Sequence, residues 1–207
     1  MTFFPLPDFV NCVTFMTLSP NKKNLFVCEQ HSQGVGEPLK PDIYMSIYDL
    51  KNPEAPKVLK AHINVTELVN TSNMQMSCTL NDKNGQWVYK PITESQPTKE
   101  QPKPAKSLLP GNRSKDQGFF AHCSNISFTA DVGSKQLIAM VIHETPTDNR
   151  IVVMDPYNQK IRTTLLFQAQ SINKVTFSAS DRDVLVTSGD KHFRVWRIAD
   201  KELRAVP

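Results

Sequence analysis

Residues 174–200, KVTFSASDRDVLVTSGDKHFRVWRIAD, allow few folds: three alternating runs are separated by a Ser-Asp-Arg-Asp cluster and a Gly189-Asp190 turn. Side chains on a strand point alternately to opposite faces, so each run specifies a strand, and the polar clusters between them punctuate hairpins. Three strands joined this tightly make an antiparallel meander. Comparable runs occur at Ile43–Tyr48, Leu137–Ile142 and Ile151–Met154, apolar on both faces, as strands sandwiched between neighbouring sheets must be. Helical spacing sustained over three turns does not occur, so the expected class is all-β.

The meander is written more than once. Four strand ends carry a large side chain followed by a charged one, Tyr48-Asp49, Tyr89-Lys90, Met154-Asp155 and Trp196-Arg197, with separations of 41, 65 and 42 residues. The middle interval becomes about 41 when ITESQPTKEQPKPAKSLLPGNRSK, residues 92–115, is set aside, and a period near 41–42 falls in the range of the WD40 repeat, one four-stranded propeller blade. Ala61-His62 and Ala121-His122 stand where such repeats often carry Gly-His. The expectation is a WD40-type β-propeller with about four blades in this chain, an incomplete ring, over units 11–59, 62–117, 120–167 and 171–207. Residues 92–115 hold four prolines, which remove backbone donors and rule out a central strand, so they read as a loop insertion.

The polar residues of the last unit have a structural reading. Trp196, Asp190 and Ser188 or Thr187 resemble the set that ties WD40 strands together, where an indole N–H needs a buried partner. The run before Ile172 carries no histidine, so the network is expected to be incomplete. His62 and His122 read as hydrogen-bonded blade residues, because no carboxylate, cysteine or second histidine stands at ligand spacing apart from the adjacent Cys123. No metal, cofactor-binding or catalytic residue is assigned, and none of the nucleophile-elbow, phosphate-loop, dinucleotide or paired-histidine motifs occurs.

Composition narrows the partners. A net charge of +4 with 21% charged residues lacks the clustered field of a nucleic-acid domain. No apolar run approaches a membrane span, and the first eight residues lack the basic start and unbroken apolar stretch of a secretory signal. Cys12, Cys28, Cys78 and Cys123 lie far apart in or beside strand-like runs, as expected of reduced thiols in the cytoplasm. Asn64, Asn70, Asn112 and Asn125 open Asn-x-Ser/Thr triplets, which carry glycans only in secreted chains. The insertion offers Lys99, Lys103, Lys106, Arg113 and Lys115 as a partner-binding loop for an acidic surface such as a microtubule; its alternative is a merely solvated loop.

The segments MTLSPNKKNLFVCEQ, DIYMSIYDLKNPEAPKVLKAH, NISFTADVGSKQLIAMVI and INKVTFSASDRDVLVTSGDKHFRVWRIAD resemble the WD40-repeat proteins of cilia and flagella. The resemblance covers most of the chain outside the insertion. It implies a non-catalytic scaffold of the ciliary axoneme that holds dynein-arm or related complexes on doublet microtubules, with axonemal proteins, tubulin or dynein-arm components as partners. It transfers no binding residue. The alternatives are a WD40 adaptor of another intracellular complex and a propeller hydrolase. A seven-bladed ring needs about 290 residues at this repeat length, so the expectation is a longer polypeptide, another chain that supplies the missing blades, or a truncated gene product.

Overall fold

In the computed structural model, residues 10–31, 42–51, 58–72, 75–81, 86–91, 121–131, 135–168, 171–199 and 202–206 are described. Alternation becomes strand wherever it was read. The first meander is β1 (Val10–Leu18), β2 (Asn24–His31), β3 (Asp42–Asp49) and β4 (Val58–Asn64), paired antiparallel in sequence order. A short helix, α1 (Val65–Thr71), follows, its first turn closed by the Asn64 side chain, which accepts from the Glu67 N–H at 2.9 Å.

The next hairpin, β5 (Gln75–Asn81) and β6 (Gln86–Pro91), makes no sheet of its own among the described residues. It adds to the second meander, β7 (His122–Phe128), β8 (Ile138–His143), β9 (Asn149–Asp155) and β10 (Lys160–Phe167), through parallel pairing of Gln75–Cys78 with Thr164–Phe167. The third meander is β11 (Ile172–Phe177), β12 (Val184–Gly189), β13 (His192–Ala199) and β14 (Glu202–Ala205). The fold is all-β, with sheets of four, six and four strands among the described residues.

Two apolar layers hold the three sheets in a stack. Phe26, Cys28, Met45 and Ile47 of the first sheet meet Ile126, Met140, Val152 and Met154 of the second. Ala139, Val141, Ile151 and Leu165 emerge on the other face of the second sheet and meet Val175, Leu185, Trp196 and Leu203 of the third. Alternation along β8 and β9 thus feeds both layers, which explains why their burial is unbroken. Each large side chain buried this way contributes roughly 1.5–3 kcal/mol by leaving water.

The sheets stack in one sense. Tyr48, Met154 and Trp196 sit opposite Leu25, Ile138 and Leu185, always on the third strand of a meander. Met154 faces the first sheet and Trp196 the second, whereas Tyr48, alternating with the inward Ile47, lies on the face of the first sheet turned away from the second. The first strands adjoin: the Val175 and Phe177 N–H groups of β11 donate to Asn125 Oδ1 and Ser127 Oγ of β7, each at 2.9 Å. Turns lash the sheets at one end. Asn24, held by Lys60, donates to Tyr157 Oη at 3.0 Å, and Arg182 reaches the Lys135 carbonyl and the Asp131 carboxylate.

Two expected units need correction. The first meander runs beyond residue 59 to Asn64, because Ala61–Asn64 pair with Tyr44–Ile47. His62 therefore lies in the last strand of the first sheet and does not precede a second blade. Unit 62–117 is not a separate four-stranded sheet among the described residues, and Tyr89-Lys90 lies on the second strand of a hairpin; a bulky residue before a charged one marks the edge of a buried strand, whatever its order. Residues 92–115, with Lys99, Lys103, Lys106, Arg113 and Lys115, lie outside the described residues.

Candidate functional site

The third sheet carries one polar network in its core. Trp196 Nε1 donates to Thr187 Oγ1 at 2.8 Å, and Thr187 Oγ1 lies 2.7 Å from His192 Nε2. All three side chains are buried, and they arise from register: Thr187 and Trp196 point to the second sheet from adjacent strands, while His192 opens β13. A hydroxyl that accepts from the indole has its own proton left to give, which assigns Nε2 as the acceptor and places the imidazole proton on Nδ1. Burial first, then the nearby Arg194 charge, pushes His192 down to about 4.

Asp190 and Ser188 take no part. Asp190 is exposed in the turn, and Ser188, next to Thr187 in the strand, points to the opposite face. Sequence reading found Trp196 and offered Thr187 as an option, but it sought the histidine ahead of β11; His192, across the turn, supplies it. The signal was present in the three-residue step from Gly189 to His192, which closes the β12–β13 turn on itself with Lys191 at φ 53°.

A second polar cluster occupies the face of the first sheet turned away from the second. Glu29 and His31 project together from β2, Tyr44 and Ser46 from β3 and His62 from β4, two apart along each strand and level across the register. His31 Nε2 lies 3.1 Å from Glu29 Oε2, and His62 Nδ1 lies 2.9 Å from Ser46 Oγ. The rings of His31, Tyr44 and His62 stack on one another, with centroids 4.0–5.4 Å apart. Glu29 is 0% exposed, and its Oε1 has no hydrogen-bond partner among the described residues. Burial lowers the His62 pKa, against an opposing pull from the Glu29 charge, and the same Glu29 helps burial raise Tyr48. Ser46 beside His62 has the pairing of a nucleophile and its base, yet at 1% exposure the hydroxyl is closed to a substrate and serves to orient the ring.

His122, the other expected blade histidine, opens β7 and stacks on His143 at 4.7 Å, while His143 Nε2 meets Ser124 Oγ at 2.8 Å. Burial, then His122, lowers the His143 pKa. Four of the five histidines of the chain, His31, His122, His143 and His192, thus lie at the end of their sheets where the second strand turns into the third, and His62, level with Ser46 midway along β3, stacks on His31. The grouping around His62 escaped sequence reading because its neighbours come from other strands; the visible trace was Glu29-Gln30-His31, a carboxylate and an imidazole on one strand face.

Of the cysteines, Cys28 and Cys123 are buried across the interface of the first two sheets, and the Cys28 thiol is pushed up by its hydrogen bond with Cys123 and by burial. Cys12 is exposed, contrary to the expectation of burial, and donates to Gln30 Oε1 at 3.1 Å. Among the described residues, no helix is long and apolar enough to cross a membrane. No protein-family profile matches the chain, and no curated protein matches it in sequence.

Proposed function

We propose that the chain builds part of a WD40-type propeller and acts as a non-catalytic scaffold of the ciliary axoneme, holding dynein-arm or related complexes on doublet microtubules. The observation that carries this reading is the same-sense stack: three antiparallel meanders with adjoining first strands, the middle one covered by the first on one face and by the third on the other. The Thr187–His192–Trp196 network supports the WD40 assignment, since it joins adjacent strands through an indole N–H as the repeat requires.

The third sheet ends the stack with an outward face formed by Val186, Val195 and Phe193, the last 71% exposed, beside Lys174 and Arg197. In the first two sheets the corresponding face is covered by the next sheet, so the occupant we assign here is a further sheet, from a longer polypeptide or a partner chain. Lys99, Lys103, Lys106, Arg113 and Lys115 supply the attraction to an acidic microtubule, which weakens as salt rises.

Co-sedimentation of the chain with salt-washed doublet microtubules tests the reading. Saturable binding that falls with added salt is expected. Failure to bind, with a tagged chain spread through the cytosol, points instead to an adaptor of another intracellular complex.

A further inference from the structure

We propose that Glu29, His31 and His62 form a zinc site on the outer face of the first sheet. The three residues each bring a ligand atom within 4.8 Å of the others, and no second such group of three occurs among the described residues. Two imidazoles and a carboxylate are a donor set suited to Zn²⁺, with one coordination position left for water.

Geometry favours an ion over a chance meeting of side chains. Donors held about 2.0–2.1 Å from a tetrahedral zinc lie roughly 3.3 Å from each other. Glu29 Oε2 and His31 Nε2 already stand at 3.1 Å, so one edge of the tetrahedron is set before the metal arrives.

Charge gives a separate reason. Glu29 is fully buried, and Oε1 lacks a hydrogen bond among the described residues, a costly state for a carboxylate unless a cation answers it. His31 Nε2 lies against the other oxygen, Oε2. A divalent ion would satisfy the carboxylate as a whole.

The surroundings resemble the outer support of a metal site. Ser46, itself buried, lies 2.9 Å from His62 Nδ1 and holds the ring in place. Tyr44 lies against both imidazoles, at 4.0 and 4.8 Å, and restricts their rotation.

The full chain, stripped with chelator and titrated with Zn²⁺ and with Co²⁺ as a coloured substitute, tests the site. One equivalent is expected to bind, with visible absorption of a nitrogen- and oxygen-ligated cobalt, and zinc is expected to raise the melting temperature. Glu29→Gln and His62→Gln should each weaken binding by at least about 100-fold, and Ser46→Ala by about 10-fold, the loss typical of a residue that supports a ligand. His143→Gln, which alters the other histidine pair, should leave affinity unchanged. Because a ligand variant can lose its fold, circular dichroism accompanies each titration, and Ser46→Ala supplies the graded response from a residue that does not touch the ion. No binding of one equivalent by the folded wild-type chain overturns the proposal. So does binding that survives in folded His62→Gln or disappears in His143→Gln.

Discussion

Thr187 shows how much one hydroxyl can hold. It accepts from Trp196 and faces His192 in a dry interface, so Thr187→Val, which keeps the shape and removes the oxygen, leaves a buried indole N–H and an imidazole nitrogen without partners. The expected loss is about 2–3 kcal/mol, seen as a lower urea midpoint with an unchanged slope. His192 adds a dependence on acid. Its pKa is about 4 in the folded chain against 6.5 when exposed. Between those values the unfolded chain holds a proton that the folded one does not, so stability is complete above about pH 6.5 and declines as pH falls towards 4. His192→Asn should flatten that part of the stability profile, as measured by denaturation at a series of pH values. At this scale the sequence was partly legible. Trp196 announces a buried N–H that needs a partner, but whether Thr187 or Ser188 answers it depends on which face β12 turns inward, and one residue of register decides that.

Among the strands, β11 is the telling case because it is an edge. Its outward N–H groups would face a neighbouring sheet unpaired, and Asn125 and Ser127 of β7 accept two of them. The triplet that reads as a glycan acceptor, Asn125-Ile-Ser127, is thus occupied in joining two sheets, and Asn64 of another triplet caps α1. Asn125→Ala should cost about 1 kcal/mol and speed hydrogen exchange at the Val175 amide while leaving the Phe177 amide protected; Ser127→Ala should do the reverse. Strands themselves were easy to read, since alternation and turn residues are local. Their partners were not. The β5–β6 hairpin has the pattern of half a meander, and its parallel docking on β10 follows from long-range pairing that no local spacing encodes.

Taken as a whole, the molecule is a stack whose inner sheet is apolar on both faces while its two outer faces differ. The outer face of the first sheet gathers its polar groups around Glu29 towards one end and exposes Met16, Leu18 and Leu59 towards the other; that of the third is apolar at its centre and open at Phe193. A surface of this kind is built to be covered. Phe193→Asp should leave the melting temperature within a degree or two of the parent and yet abolish association with the further sheet proposed to cover it, as read by sedimentation velocity of the parent and variant chains. The 41- and 42-residue spacings made repetition legible, because equivalent strands bury equivalent positions. They could not say that the second interval held a hairpin in place of a sheet, since Tyr89 meets the same requirement of size as Tyr48 and Met154.

The placing of two imidazoles has a directional consequence. His143 and His192, both held below their ordinary pKa, stand where the second strand turns into the third, while the opposite pole is lashed by Asn24, Tyr157 and Arg182. Acid that charges them would open the stack from that pole and leave the lashed one to part last.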